Sequence, residues 1–287
     1  MKKRKSLLFG LSIAFFGILL TACGGSSEES SNTKGNALAE IKKAKTITVA
    51  TQNDAPFAYM DESTNELTGI DADILREIGK RAGFETLEMK QFAFENLLLE
   101  LNKGNADIVA DGMYIRDARL EIAYFSDVWY EYGDTIITKK DSGLTNFDDL
   151  KDKTIGAQKG TAFYDFALAW KEEGKVKDVV TFGKTTELML GVNTGKVDAI
   201  IVELPIASYL MKTDNSLDVE IMESYVPKEK GRIASAISFD NKELLDEVNK
   251  YLNEMKEDGT LLTILEKYGL TEENFVSVED GKTENIK

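Results

Sequence analysis

Short apolar runs alternate with helix-like patterns along most of the chain after residue 44. Residues 46–50 (Thr-Ile-Thr-Val-Ala) predict a buried strand. Apolar side chains recur at helical spacing from Ile70 to Ala82 and Gly83 follows, which predicts an amphipathic helix. Other strands are predicted at 84–89, 107–110, 135–137, 197–202 and 233–239, and other helices at 94–102, 162–170, 242–255 and 260–268. This alternation predicts an α/β fold with mostly parallel strands.

A weak internal repeat divides this region into two similar halves. Residues 101–110 parallel residues 192–201, since each runs from the end of a helix through a glycine turn and an aspartate into an apolar strand. Lys45-Thr46-Ile47 likewise parallels Lys153-Thr154-Ile155, in the same order. Helix–turn–strand units resemble one another in many proteins, which is an alternative explanation of the repeat. The ordered recurrence favours two similarly built lobes with a ligand cleft between them.

Two polar segments, 138–143 and 227–232, mark where the chain crosses between the predicted lobes. We therefore predict a discontinuous first lobe and a continuous second lobe. The first comprises residues 41–139 plus 232–275 and the second residues 140–231. Hinged lobes of this kind close around ligands. A polar tail, 276–287, is expected to fray.

The N-terminus has the pattern of an exported protein. Four basic residues at positions 2–5 precede an uncharged stretch of 14 residues, Leu7 to Leu20, which is short for a membrane span. The only cysteine of the chain, Cys23, follows directly after Thr21-Ala22. An ordinary signal peptide with a buried cysteine nearby is the alternative, but the pattern resembles the lipobox of bacterial lipoproteins, in which this cysteine is acylated. We predict a lipoprotein signal peptide at 1–22 and a flexible tether, rich in Ser, Gly and Glu, at 23–40.

Composition excludes several classes of active site. The chain of 287 residues has 35 Lys and Arg, 50 Asp and Glu and no histidine, which gives a formal net charge of −15. Without histidine there is no Ser-His-Asp or Cys-His pair and no imidazole metal site. One cysteine allows neither an internal disulfide nor a thiolate zinc cluster, and an acidic chain without a basic stripe is a poor nucleic-acid binder. An enzyme that uses carboxylates or lysine remains, as does a protein that binds without chemistry.

Ordered motifs in both predicted lobes resemble the polar amino-acid family of extracytoplasmic solute-binding proteins of ABC importers. The motifs are Ala55-Pro56-Phe57 and residues 67–73, 112–119, 123–127, 156–161, 196–199, 256–260 and 267–269. Each is weak alone, whereas their order is specific, and together they cover about 45–270. The resemblance implies a two-lobed periplasmic-binding-protein-like fold of type II, with hinged lobes and mixed, mostly parallel sheets. It also implies a monomer without a cofactor, which captures an amino acid and delivers it to permease subunits.

The same resemblance implies which residues hold the backbone of the amino acid. The arginine matching Arg119 holds the ligand α-carboxylate in this family, and a guanidinium fork suits a carboxylate. Gly160, Thr161 and Ala162 open a predicted helix, whose free amides suit the same carboxylate. Glu203 stands where relatives usually carry the aspartate that pairs with the α-ammonium. Read without the resemblance, Arg119 is a surface arginine, Thr161 a helix cap and Glu203 the start of a helix.

Other positions surround the side chain of the ligand. Asp111, Gly112 and Tyr114 lie where relatives contact the ligand with serine-like groups. Phe94 occupies the aromatic-wall position, although by spacing alone it is a core residue. The first loop departs from the family pattern: Asp54 falls where a stacking aromatic is common, so Phe57 is the candidate for the aromatic floor. Because Asp54 and Asp111 add negative charge, we hypothesise a cationic or strongly dipolar amino acid as the ligand.

Two other functions remain open on this fold. A dehydratase-like enzyme would use paired carboxylates such as Asp111 and Glu203. A surface adhesin or sensor module would bind a protein partner. For the leading function we expect an amino-acid ligand, permease subunits as partners and no nucleic acid. Through Cys23 the protein would be anchored to the outer face of the bacterial cytoplasmic membrane, as in a Gram-positive host.

Overall fold

A computed structural model describes residues 37–227 and 230–285. The predicted signal peptide, Cys23 and most of the predicted tether lie outside these residues. The tether prediction, 23–40, also includes the first half of a helix at Ala37–Ala44, on which Ile41 is buried. Within the described residues, no helix is both long and apolar enough to cross a membrane.

The order of elements follows the predicted alternation. The helices are α1 (Ala37–Ala44), α2 (Ile70–Ala82), α3 (Leu97–Asn102), α4 (Asp117–Leu120), α5 (Ala162–Glu172), α6 (Thr185–Asn193), α7 (Leu204–Thr213), α8 (Lys242–Glu257) and α9 (Thr260–Lys267). The strands are β1 (Thr46–Thr51), β2 (Tyr59–Asp61), β3 (Glu66–Thr68), β4 (Thr86–Gln91), β5 (Ile108–Val109), β6 (Tyr124–Phe125), β7 (Tyr130–Tyr132), β8 (Asp134–Lys139), β9 (Thr154–Gln158), β10 (Asp178–Phe182), β11 (Ala199–Glu203), β12 (Val219–Ile221), β13 (Gly231–Ile233) and β14 (Ala236–Ile237).

Helix α2 shows how the apolar pattern produces an element. Its residues Ile70, Ile74, Leu75 and Ile78 recur every three or four positions and are completely buried. The helix ends at Gly83, which has φ of +95° and whose N–H donates to the carbonyl of Gly79 at 2.7 Å. Only glycine adopts this left-handed conformation without steric cost. The predicted bounds of this helix are therefore confirmed.

The strands form two five-stranded sheets of the same design. The first has the order β4-β1-β5-β14-β6, and the second has the order β10-β9-β11-β8-β12. In each sheet two pairings are parallel and two are antiparallel. Four of the five strands in each sheet run in the same direction, and only the returning strands, β14 and β8, oppose them. Two mixed, mostly parallel sheets of matching order agree with the type II two-lobed fold expected from the sequence.

The two copies of the internal repeat occupy equivalent positions in the two sheets. Asp107 precedes β5, and its side chain accepts a hydrogen bond from the N–H of Thr48 at 2.8 Å. Asp198 precedes β11, and its side chain accepts from the N–H of Thr154 at 2.8 Å. Both strands are the third in their sheet. Each aspartate thus ties the turn of the repeat to the neighbouring strand of its sheet, β1 or β9.

The two crossings between the lobes lie side by side. Strand β7 pairs antiparallel with β13, in a register that places Tyr132 opposite Gly231. The first crossing falls immediately after β7, because β8 already belongs to the second sheet. Our prediction that lobe 1 extends to residue 139 is therefore wrong: its first segment ends before Asp134. Strand β8 was misplaced because an apolar strand next to a crossing carries no signal of the sheet that it joins.

The end of the chain packs on the first lobe instead of fraying. Val276 is buried, and the carbonyl of Gly281 accepts a hydrogen bond from the N–H of Val128 at 2.8 Å. Lys282 pairs with the carboxylate of Asp127 at 3.0 Å. The predicted frayed tail, 276–287, is thus wrong for its described part, because buried polar partners hold a segment whose composition alone indicates a loop.

Candidate ligand-binding site

The candidate residues meet where loops of the two lobes face each other. Strands β1, β5, β9 and β11 end at this cleft, as expected for ligand sites in α/β sheets. At its edges Arg116 pairs with Asp165 at 2.6 Å and Lys159 pairs with Glu95 at 3.1 Å, each across the cleft. The hydroxyl groups of Tyr59 and Tyr209 also approach each other, at 3.5 Å. The two lobes are therefore in contact along the cleft.

Arg119 lies inside the cleft and bridges both lobes. Its guanidinium donates to the carbonyl of Tyr114 at 2.7 Å and to the carbonyl of Gly160, in the second lobe, at 2.8 Å. The group lies over the ring of Phe94, 5.4 Å from its centroid. The side chain is buried, and burial lowers the pKa of Arg119 to about 10, so it still carries its charge at neutral pH. This placement disagrees with the alternative of a surface arginine.

The start of helix α5 faces Arg119 from the second lobe. Thr161 caps the helix: its hydroxyl accepts from the N–H of Tyr164 at 3.2 Å and donates to the carbonyl of Gln158 at 2.7 Å. Gly160 has φ of +84°, and a Cβ there would lie 2.9 Å from that of Glu95. Glycine at this position therefore lets the lobes approach closely. Ala162 is buried in the first turn, where amide groups have no partner within the helix.

Glu203 ends β11 and has its carboxyl group buried at the cleft. Its side chain is 8% exposed and has no hydrogen-bond or ion-pair partner among the described residues apart from its own backbone. Burial raises the pKa of Glu203 to about 8, and the nearby carboxyls of Asp54 and Asp134 act in the same direction, while the charge of Arg119 opposes them. A cationic group placed here would favour the ionised form.

Two further carboxyl groups are buried on the first-lobe side of the cleft. Asp111 accepts from the hydroxyl of Thr51 at 2.6 Å and from the N–H of Gln52 at 3.1 Å. Burial raises its pKa well above the usual range, and the carboxyl of Asp54 raises it further. Asp54 is 8% exposed, and burial raises its pKa to about 6. The described residues therefore place three buried carboxyl groups and one buried guanidinium at this cleft.

The loop after β5 is held in place by a residue outside the predicted site. Asp71, in the first turn of α2, accepts from the N–H of Gly112 at 2.7 Å and from the hydroxyl of Tyr130 at 2.6 Å. Gly112 has φ of +61°, and a Cβ there would lie 2.7 Å from the ring of Phe57. Its carbonyl accepts from the hydroxyl of Tyr132 at 2.9 Å. These contacts fix the position of Asp111, which directly precedes Gly112.

Three of the predicted aromatic positions are buried. Phe57 is completely buried and stacks on Tyr132, with ring centroids 5.5 Å apart. Tyr114 packs edge-on against Phe163, at 5.3 Å, and its hydroxyl donates to the carbonyl of Tyr132 at 3.0 Å. Phe94 supports Arg119. These rings pack beneath the charged groups of the cleft. The hydroxyl of Tyr114 is bonded to the backbone at the end of β7, where the chain crosses between the lobes.

Sequence reasoning missed three side chains at the cleft: Gln52, Gln158 and Thr185. Gln158 and Thr185 are buried and Gln52 partly so, and all three are hydrogen-bonded across the cleft. Gln158 lies within the motif at 156–161 and Gln52 lies in the first loop near Asp54, so both could have been found, whereas Thr185 begins α6 without any motif around it. Groups of three or more potential metal ligands do not occur among the described residues.

Comparison with known proteins gives relatives over nearly the whole chain. The family model for bacterial extracellular solute-binding proteins, family 3, matches residues 47–271. The arginine-binding extracellular protein ArtP of Bacillus subtilis (strain 168) is 31% identical over 269 residues, which are 93% of this chain and 98% of the relative. The L-cystine-binding protein TcyA of the same organism is 32% identical over 277 residues, which are 92% and 97% of the two chains.

A solved structure of similar fold belongs to an ancestral protein. The ancestral amino acid-binding protein AncCDT-1, a precursor of cyclohexadienyl dehydratase, is 31% identical, with a TM-score of 0.70. The match covers 80% of this chain and 98% of that one.

Proposed function

Because this chain belongs to the family 3 bacterial extracellular solute-binding proteins, we propose that it binds a cationic amino acid in the cleft and delivers it to the permease subunits of an ABC-type importer. One observation carries the choice of a cationic ligand. The buried carboxyl groups of Asp54, Asp111 and Glu203 share the cleft with one buried guanidinium, that of Arg119. Unpaired buried carboxylates are costly, so a ligand that adds positive charge is favoured.

The groups that bind the amino acid differ at its two ends. Arg119 and the first amides of α5 hold the α-carboxylate, which receives charge-assisted hydrogen bonds from both lobes. Glu203 accepts the α-ammonium. Asp111, with Asp54 beside it, faces the cationic end of the side chain. The ligand thereby links lobe 1 to lobe 2 and binds the closed arrangement more tightly than the open one. This difference in affinity shifts the equilibrium from open to closed protein.

The names of relatives support the class of ligand without selecting one compound. One relative is named for arginine, which carries a cationic side chain. Another is named for L-cystine, which has no cationic side chain but carries two zwitterionic ends. A strongly dipolar amino acid therefore remains the second candidate ligand.

An enzyme on the same fold is the alternative function, with Asp111 and Glu203 as acid and base. The observation in its favour is the structural likeness to a dehydratase precursor, which is itself an amino acid-binding protein. Incubation of the protein with each ligand that binds, followed by mass spectrometry, separates the two functions. Stoichiometric binding without product supports the solute-binding function.

We propose that the protein is a monomer anchored through an acylated Cys23 on the outer face of the cytoplasmic membrane. The support is the basic, apolar and small-residue pattern before Cys23. Mass spectrometry of the protein from membranes should find acyl chains on Cys23 as the first residue. A Cys23→Ser variant should appear in the soluble extracellular fraction.

A thermal-shift screen of the purified protein against the protein amino acids tests the proposed ligand. Lysine or arginine at 100 times its Kd should stabilise the fold by about 2.7 kcal/mol through binding to the native state alone. Stabilisation by acidic or aliphatic amino acids only would overturn the proposal.

A further inference from the structure

Four polar side chains form a closed ring across the cleft. Gln52 donates to Asp54 at 2.9 Å, and the hydroxyl of Thr185 lies 2.7 Å from the same oxygen of Asp54. The hydroxyl of Thr185 is also 2.8 Å from the side-chain oxygen of Gln158, which in turn donates from its amide nitrogen to Gln52 at 2.7 Å. Gln52 and Asp54 belong to the first lobe, and Gln158 and Thr185 belong to the second.

When Asp54 is ionised, the ring has one hydrogen too few for its four contacts. Each amide contributes one donor and one acceptor to the ring, and the hydroxyl of Thr185 does the same, whereas a carboxylate oxygen only accepts. Three hydrogens then serve four contacts, whichever way the two amides are turned. A proton on Asp54 supplies the fourth hydrogen: Asp54 donates to Thr185, which donates to Gln158.

We propose that Gln52, Asp54, Gln158 and Thr185 form a latch that holds the two lobes together through the protein's own side chains and is complete when Asp54 is protonated. The latch closes the cleft independently of any amino acid. Proton uptake by Asp54 therefore adds a second means of closure to the one that a ligand provides.

The direction of the pH dependence follows from the position of Asp54 between the lobes. Burial raises the pKa of Asp54 to about 6 in the closed arrangement. When the lobes separate, water reaches the group and its pKa returns to about 3.9. The closed form thus binds the proton more tightly, and closure is favoured as the pH falls through 6 and lost above it. Over the full interval the ratio of closed to open protein changes by about 100-fold.

Other titratable groups face Asp54 and also respond to pH. Asp111, after β5, and Glu203, at the end of β11, are buried carboxyls whose pKa values are raised partly by Asp54. Lys184 and Glu187 flank Thr185 at the start of α6 and are exposed. A variant that breaks the ring without changing any charge is therefore needed to assign the effect to the latch.

Small-angle scattering of the purified protein without amino acids, at pH 5 and pH 8, tests the latch. The native protein should have a smaller radius of gyration at pH 5. Thr185→Val keeps the shape of the side chain but removes the hydroxyl, so this compaction should be lost. Thr185→Ser keeps the hydroxyl and should restore it, with circular dichroism confirming that each variant is folded.

A second variant tests the protonation of Asp54 directly. Asp54→Asn places an amide nitrogen that donates to Thr185 and, once both glutamine amides turn, also to Gln52, so that every contact of the ring has a hydrogen at any pH. This variant should therefore be as compact at pH 8 as at pH 5. An equal radius of the native protein at both pH values would overturn the latch, and so would undiminished compaction of Thr185→Val. Because no amino acid is present, these results leave the proposed ligand untouched.

Discussion

At the scale of single residues, Arg119 makes contacts in both lobes that no other cationic side chain would reproduce. Its planar fork donates to carbonyls of Tyr114 and Gly160 and remains charged in a buried position. A lysine has one compact ammonium and cannot donate in two parallel directions. In the proposed site, binding of the ligand α-carboxylate therefore depends on the shape of this side chain as well as on its charge.

We predict that Arg119→Lys and Arg119→Ala each weaken amino-acid binding by at least about 30-fold, the lower end of losses for a buried charge pair. The matched control is Arg116→Ala, which removes a partly exposed arginine that also bridges the lobes, to Asp165. Exposed pairs contribute little, so this variant should lose less than about fivefold. Calorimetric titration measures all three, and equal losses at both arginines would reject the assignment.

Glu203 gives a second prediction, about the pH dependence of binding. Burial raises its pKa to about 8, so below that pH the free protein holds a proton that the ligand ammonium must displace. Affinity should therefore increase from pH 6 to pH 8, by up to about tenfold per pH unit, and level off above. Glu203→Gln should weaken binding and flatten this increase, whereas the exposed Glu220→Gln should leave it unchanged. An identical slope in Glu203→Gln and the native protein would contradict the role.

Glu203→Gln, which should weaken binding, should stabilise the fold at high pH. The pKa of Glu203 is higher in the folded chain than in the unfolded one, so its contribution to stability falls as the pH rises from about 4.5 to 8. Glutamine remains neutral at every pH. Glu203→Gln should therefore melt at a higher temperature than the native protein at pH 8, by at least about 2 °C, and should lose this advantage at pH 4.

At the scale of elements, the crossing pair β7 and β13 supports the site. Gly231 lies opposite Tyr132, and a Cβ at this position would lie 1.7 Å from the ring of Tyr114. The ring has neighbours on its other sides, Tyr132 and Phe163, so it cannot move away freely. The absence of a side chain at Gly231 thus lets an aromatic ring fill the base of the cleft between the two crossings.

We predict that Gly231→Ala destabilises the protein by about 1–3 kcal/mol, the usual cost of overpacking a core. Thermal unfolding measures the change, and weakened amino-acid binding should accompany it because the loop of Tyr114 also carries Asp111. Gly183→Ala is the matched control, since its Cβ would find no atom closer than 3.9 Å. A native-like melting temperature for Gly231→Ala would show that the crossing tolerates a shift of Tyr114.

Elements with strong local patterns were predictable from the sequence, and those set by distant partners were not. The spacing in α2 and the glycine after it determine both ends of that helix. Asp107 and Asp198 were visible as a repeat because the same glycine turn and aspartate precede β5 and β11. Sheet membership of β8 depends on pairing with β11, about 60 residues later, and has no local signal.

The residues of the candidate site fall into the same two groups, those with a local sequence pattern and those set by distant partners. Residues inside ordered motifs, such as Arg119, Gly160 and Glu203, were predicted and meet at the cleft. Asp71 and Thr185 act through contacts with residues far away in the chain, such as Gly112 and Asp54, so spacing along the chain could not assign them. Phe57 was predicted as the floor of the pocket and Tyr114 as a ligand contact, and packing buries both side chains.

At the scale of the whole molecule, two lobes of matching design surround a cleft with an excess of buried acid. Arg119 and three carboxyl groups are buried at this cleft, and in the proposed function they bind a carboxylate and positive charge. Protons neutralise these acids in part, and a cationic amino acid is proposed to neutralise them by displacing protons. The latch and the ligand site therefore respond to pH in opposite directions, since closure by the latch takes up a proton and binding of a cation releases protons.

The central claim is that the ligand supplies a positive charge in its side chain. Calorimetric titration of the purified protein at pH 7.5 with L-arginine and with L-citrulline, its neutral isostere, tests this claim most directly. The two compounds share the same zwitterionic end and nearly the same shape. Arginine should bind at least about tenfold more tightly, a difference of about 1.4 kcal/mol. Equal or tighter binding of citrulline would contradict it.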